Sequence, residues 1–250
     1  MKSVVVTVMF LLPSLAHAIG DCEGEGARLQ PAGYSLAGKA LVFTGTVEYC
    51  AQAKGGAKKL SVPVKVVMGL GGGVRGRYVL PEKGKATAAE LSSAETHLGG
   101  APKGPAEWAK EEKALGKLET AGLFNETKTK LTSPNGACTV EIPTTKPARG
   151  SDGFDKTKLT VLVKAGEAKL LSRGLGWTTP NGPLGAVIFD AETGALTVAW
   201  VVTVCNGGPP PGTFGPDDGG DCYEHDKPSV LTFSGAKVKK DLAPCFAAGK

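Results

Sequence analysis

Ten consecutive residues from Asp217 to Asp226 carry four aspartates, a glutamate and a histidine, set in Gly215-Pro216-Asp217-Asp218-Gly219-Gly220-Asp221-Cys222-Tyr223-Glu224-His225-Asp226. Hard oxygen donors on a glycine-bearing loop can wrap Ca²⁺, which takes six to eight of them. His225 can help to hold a transition metal instead. The candidate metal ligands are therefore Asp217, Asp218, Asp221, Glu224, His225 and Asp226. The same carboxylates could supply acid and base to an exported hydrolase. Spacing argues against both chemistries. The Asp-x-Asp-x-Asp-Gly order of a calcium loop is missing, and acids this close to turns are ordinarily just solvated. The segment reads as an acidic loop tied down by Cys222, with no cofactor expected and Ca²⁺ as the alternative.

Immediately before it, Asn206-Gly207-Gly208-Pro209-Pro210-Pro211-Gly212-Thr213-Phe214 favours an extended polyproline course ending in a lone aromatic. Cys205 and Cys222 flank this stretch. A bridge between them would turn the 206–221 loop into a constrained ridge, and preorganisation lowers the entropic cost of docking into a partner groove. A plain connection between two strands is the simpler reading. The six cysteines are Cys22, Cys50, Cys138, Cys205, Cys222 and Cys245. None forms a Cys-x-x-Cys pair, so disulfides are expected and zinc is not. Cys205–Cys222 is the expected pair; Cys22–Cys50 and Cys138–Cys245 follow by elimination and nearness to the chain ends.

Other chemistries find little material. A Ser/His/Asp triad needs a histidine beside a serine on an exposed turn, yet no Gly-x-Ser-x-Gly occurs and Gly33-Tyr34-Ser35-Leu36-Ala37 is half of one. His97, in Thr96-His97-Leu98-Gly99, reads as a side chain near the last carbonyls of a helix. Gly71-x-Gly73-x-x-Gly76 spells a dinucleotide fingerprint, which requires a helix after it. Here Arg77-Tyr78-Val79-Leu80 alternates as a strand, so the glycines read as a hairpin turn. Asn125-Glu126-Thr127 matches a glycosylation sequon.

The chain opens with Met1-Lys2, an apolar run from Val4 to Leu12, a Pro13-Ser14 break and Ala16-His17-Ala18. That order is a secretory signal over 1–18, with cleavage expected before Ile19, and its apolar run is too short to span a bilayer. No later stretch is long and apolar enough to span. The expected location is secreted, periplasmic or cell-surface.

The positions that could carry chemistry are framed by strands. Leu60, Val62, Val64, Val66, Met68 and Leu70 share one row, while Lys59, Ser61 and Lys65 occupy the other, a period of two that turns one face inward. Pro63 lies on the outer row and cannot donate a ladder bond, which predicts an edge or a bulge. Leu41, Phe43, Gly45, Val47 and Tyr49 form a second such row. Lys85 to Leu98 and Pro105 to Phe124 are rich in good helix formers, with Pro105 suited to a first helical position. Strands return at 138–142, 158–164, 168–172, 184–189, 195–204 and 229–233, and Asp190-Ala191-Glu192-Thr193-Gly194 marks a hairpin turn.

The prediction is a mainly β fold, α+β in class: a disulfide-stabilised β-sandwich or barrel of about nine short strands with a helical insertion at about 85–124. It forms one β-rich domain over 19–250; the alternative is two β lobes, 19–83 and 130–250, joined by a helical segment at 84–129. Composition agrees: 36 glycines and 17 prolines in 250 residues multiply turns and disfavour a helical bundle. Aromatic residues make up 6%, too few for a large sugar-stacking surface. The formal charge of +5 falls by one when Lys2 leaves, and the lysines lie among acids rather than in the basic stripe that nucleic acid requires. These features point to an exported, non-catalytic binding or structural protein whose partner is another protein or a surface ligand.

Overall fold

The computed structural model describes residues 25–53, 56–146, 148–149, 155–178, 183–206 and 223–246. Strand dominates. Its order is β1 (Gly26–Ser35), β2 (Ala40–Ala53), β3 (Gly56–Gly69), β4 (Val74–Val79), α1 (Ala88–Leu98), α2 (Pro105–Leu115), β5 (Leu123–Phe124), β6 (Lys130–Thr132), β7 (Thr139–Glu141), β8 (Ala148–Arg149), β9 (Asp155–Ala165), β10 (Ala168–Thr178), β11 (Gly185–Asp190), β12 (Ala195–Asn206), β13 (Tyr223–Phe233), α3 (Ala236–Asp241) and α4 (Ala243–Phe246).

An eight-stranded sheet runs β4-β3-β2-β1-β13-β12-β11-β5, and a five-stranded sheet holds β6 to β10. The β portions on either side of the two long helices thus share one sheet. The large sheet also curls back on itself. Glu119 exchanges backbone hydrogen bonds with Tyr34 of β1 at 2.8 and 3.0 Å, and a few residues later Gly122 accepts from Val187 of β11. The segment 119–124 therefore links β11 back to β1, giving a barrel-like end to an otherwise open sheet.

Alternation sets the layers. Leu41, Phe43, Val47, Val62, Val64, Val66 and Met68 fill the inside of the curl together with Ile188 and Val201. On the other face of the same β11–β12 ribbon, Val187, Phe189, Leu196, Val198 and Trp200 pack against Leu159, Val161 and Val163 of the smaller sheet. Strands buried on both faces cannot show a clean polar row, and β11 and β12 are such strands. Helix α1 covers the inside of the curl through Ala94, with Leu91 and Leu98 partly buried. Its Thr87 caps the N-terminus in a reciprocal box with Glu90. Helix α2 lies over the outer row of β2 and β3, where Val42, Val67, Tyr78, Trp108 and Leu115 form a third cluster.

Several expectations need correction. The strands are neither nine nor all short: β2 and β3 have 14 residues each. Strand β1 went unread because Pro31 and Gly33 interrupt its pattern; a register shift between them restores the pairing with β2. The helical insertion ends at Leu115 rather than running to Phe124. Gly116, at φ 66°, closes the helix, and Leu123–Phe124 pairs with β11. Short C-terminal helices at 236–246 were not foreseen. Strand β13 begins at Tyr223 instead of Ser229, so Glu224, His225 and Asp226 belong to a ladder with β12 rather than to a loop. The outer row of β3 is not solvated throughout: Val67 is fully buried, and the Lys65 ammonium stands 4.1 Å from the centre of the Trp108 ring. Pro63 is accommodated where β4 runs out. Its carbonyl accepts from Leu80, just past the end of that strand, so the missing donor falls at the ladder's last rung, and among the described residues no strand pairs with that edge of β3 from there back to Gly56.

The Asp190 turn forms as read, with Asp190 Oδ1 accepting from the Glu192 and Thr193 amides and its carbonyl from Gly194. Gly71 to Gly73 sit in the β3–β4 turn, followed by strand, which removes the dinucleotide reading. At Gly45 an added Cβ would lie 1.7 Å from the Arg28 carbonyl oxygen. Gly45→Ala is therefore expected to force β1 and β2 apart at a cost of about 2 kcal/mol, read as a lower urea midpoint. A midpoint equal to the parent's would show that the strands can spread freely there.

Candidate functional site

Strands β1 and β13 meet in parallel through a single registered pair, Ala27 with His225. Beyond that pair a side chain takes over the ladder. The Leu29 amide donates to Asp226 Oδ2 at 2.9 Å, and the Thr203 hydroxyl donates to Oδ1 at 2.7 Å. A carboxylate receiving two hydrogen bonds can be buried without an ion pair, and Asp226 is 7% exposed. The splayed seam opens into a groove of about 540 Å³, lined by Arg28, Gln30, Thr44, Thr46, Thr203 and Asp226.

Successive side chains on a strand point to opposite faces, so His225 turns away from that groove. It meets His97 of α1. Their Nδ1 atoms are 3.2 Å apart, their ring centres 4.8 Å apart, and the rings are 5% and 3% exposed for His97 and His225. One Nδ1 carries the proton and the other accepts it. Glu25 Oε2 lies 3.9 Å from His97 Nε2, and Glu25 is itself fixed by the Cys50 amide, which donates to Oε1 at 2.7 Å. Beside them a cavity of about 260 Å³ is bordered by Glu25, Tyr49, Ser92, Ser93, Thr96 and His97.

Burial is the main force lowering the pKa of both imidazoles. For His97, Glu25 opposes it. For His225, the neighbouring His97, Lys227 and Arg28 add to it, while Asp226 opposes. Burial, helped by Glu90, likewise raises the Tyr49 phenol. Both histidines are thus neutral at pH 7.

His97 is not the helix cap expected of it. Gly99 closes α1, and Arg77 Nε donates to the Leu98 carbonyl at 2.8 Å, leaving the imidazole to turn inward. The proposed metal ligands are only partly placed. Asp217, Asp218 and Asp221, and the side chain of Glu224, lie outside the described residues; His225 and Asp226 face opposite ways. Among the described residues no three metal-binding groups converge. Nor does any serine among them hydrogen-bond either histidine. Ser35 is buried elsewhere, donating to the Leu115 carbonyl and accepting from Gly38.

The 207–222 segment, and with it the ridge of Pro209 to Phe214 and the Cys205–Cys222 bridge, lies outside the described residues, as do the leader and Cys22. Cys50 is disulfide-bonded. Cys138 is bonded to Cys245, the pairing reached by elimination. Asn125 is exposed, and its Oδ1 is occupied by the Thr127 and Lys128 amides in a tight turn. Sequence reading missed Glu25, Arg28 and Thr203. The one available signal was that residues 19–250 contain two histidines only, which makes their meeting a question that can be posed though not answered.

No family model, no curated protein and no solved structure matches the chain.

Proposed function

We propose that the chain is an exported, disulfide-stabilised, non-catalytic binding protein that receives a small polar ligand in the groove over the β1–β13 seam. The observation that carries this reading is the buried Asp226 carboxylate, which faces a groove lined by Arg28, Gln30, Thr44, Thr46 and Thr203 together with the apolar Leu29 and Leu184. Each Asp226 oxygen has one protein donor and retains acceptor capacity for a ligand hydroxyl or ammonium group. Convergent polar groups in a concavity are what small-ligand sites use for orientation. A non-catalytic role is supported by the histidines, which face each other rather than a nucleophile. Among the described residues no helix is long and apolar enough to cross a membrane. The leader-like residues 1–18 support release to the periplasm, the cell surface or the medium, and sequencing of the exported chain is expected to start at Ile19.

The binding test uses amide chemical shifts of the full mature chain against millimolar monosaccharides, polyols and amino acids. At least one of these solutes is expected to shift the amides of 28–30, 44–46, 203 and 226. Thr44→Trp, which fills the groove from β2, should abolish the shifts while leaving the melting temperature near the parent's. Shifts confined to 206–221 would transfer the function to the docking loop. No shift at the groove with any solute would sink the reading.

A further inference from the structure

We propose that the facing imidazoles of His97 and His225 are a two-proton latch, which holds helix α1 onto strand β13 in neutral solution and releases it in acid. The neutral pair needs no help: one Nδ1–H points at one Nδ1 lone pair across 3.2 Å. A single added proton keeps that bond, because an imidazolium still donates to an imidazole. It settles on His97, whose Nε2 looks toward the Glu25 carboxylate, and not on His225, whose protonation the positive charges of Lys227 and Arg28 oppose. Asp226 gives His225 partial compensation only, since its carboxylate is turned to the opposite face and held there by Leu29 and Thr203. Among the described residues the second proton has no such home. It would set two N–H donors and two like charges against each other in a buried contact, where charges interact far more strongly than in water.

The helix is the partner that moves. Strand β13 is laddered to β12 over its whole length, from Tyr223 to Phe233. Helix α1 has 11 residues, of which only Ala94 and His97 are fully buried. The remaining charged and titratable neighbours do not replace the lost contact. Glu90 is near the Tyr49 phenol, and Arg77 holds the Leu98 carbonyl. Release of α1 uncovers the apolar inside of the curled sheet beneath Leu91, Ala94 and Leu98.

The direction with pH follows from the lowered pKa of each imidazole. An unfolded or released histidine binds its proton near pH 6.5, whereas the latched pair binds less readily. The released state therefore holds more protons between that pH and the lowered native values. Attachment is constant above about pH 6.5, weakens as pH falls through that window, and levels off below it.

Hydrogen exchange of the full mature chain, corrected for intrinsic rates, tests this at pH 7.5 and 5.0. Protection of 88–98 is expected to fall by about tenfold or more in acid, while β12 keeps its protection. His97→Asn with His225→Asn places amides where the Nδ1 atoms stand and removes the protons, and should leave α1 protection independent of pH. Unchanged α1 protection at pH 5.0 in the parent, or an equal loss in the double variant, overturns the latch. Should the double variant not fold, imidazole titration of the parent decides. Two separated steps, the second well below 6.5, support the latch, and independent titration of both rings near 6.5 overturns it. A melting temperature raised by Zn²⁺ in the parent but not in the double variant also overturns it, because a metal and not a proton would then bridge the rings.

Discussion

Val64→Asp is expected to destabilise the protein by about 3–5 kcal/mol, the cost of an uncompensated buried charge. Val64 is fully buried inside the curl, paired with Gly45 on one side and Val79 on the other. A carboxylate there sits in an apolar cluster and must either stay charged without a partner or take up a proton, so its pKa moves far upward. A urea melt should show the full loss at pH 7 and a smaller one at pH 4, since protonation relieves the charge. The neighbouring Lys65→Asp is the control. It forfeits the contact with Trp108 and sets a carboxylate near Glu112, together worth about 1 kcal/mol at a partly exposed site. Equal losses at the two positions would mean that the inward row has been misassigned.

Removing the Cys138–Cys245 bridge by Cys138→Ala with Cys245→Ala should cost a similar amount, about 4 kcal/mol. The bridge spans 107 positions of sequence, and a closed loop of that size withholds about 4.7 kcal/mol of chain entropy from the unfolded state. Its native effect is local and separable. Cys245 and Leu242 are buried against the smaller sheet, and the Asn135 amide donates to the Pro244 carbonyl at 2.8 Å. Helix α4 should therefore stay docked without the bridge, with α3–α4 exchanging faster than β9. A change below about 1 kcal/mol in the urea-derived stability would rule out the chain-entropy account.

The rows of β2 and β3 were legible because one face carries nothing but apolar side chains for five or six alternations, and no helix competes for that pattern. The Asp190 turn was legible for a local reason: its hydrogen bonds close within five residues. Legibility failed where a distant partner decides. Residues 116–124 have helix-favouring composition, yet Glu119 and Gly122 are claimed by β1 and β11. Tyr223 to Asp226 have no apolar row, and only the eleven-pair register with β12 makes them strand. The candidate site inherits this difficulty. His97 and His225 are 128 positions apart, and Leu29 and Asp226 are 197 apart. No spacing rule reaches so far. The acidic residues between 217 and 226 drew attention as a cluster, whereas strand alternation splits the two that are placed, sending Asp226 to the groove and His225 to His97.

The β1–β13 seam also dictates when folding can finish. A chain that emerges from its N-terminus makes β1 among the first residues outside, and β2, β3 and β4 can zip onto it as a local meander. The other edge of β1 is met at Tyr34 by Glu119, but at Leu29 it must wait for Asp226, 197 positions behind. Contacts of such separation bear the full entropy of loop closure before they return any stability. Until then β1 keeps an open flank, and the curl lacks the strands that close it. The last quarter of the sequence thus holds the residue that completes the edge of the first quarter.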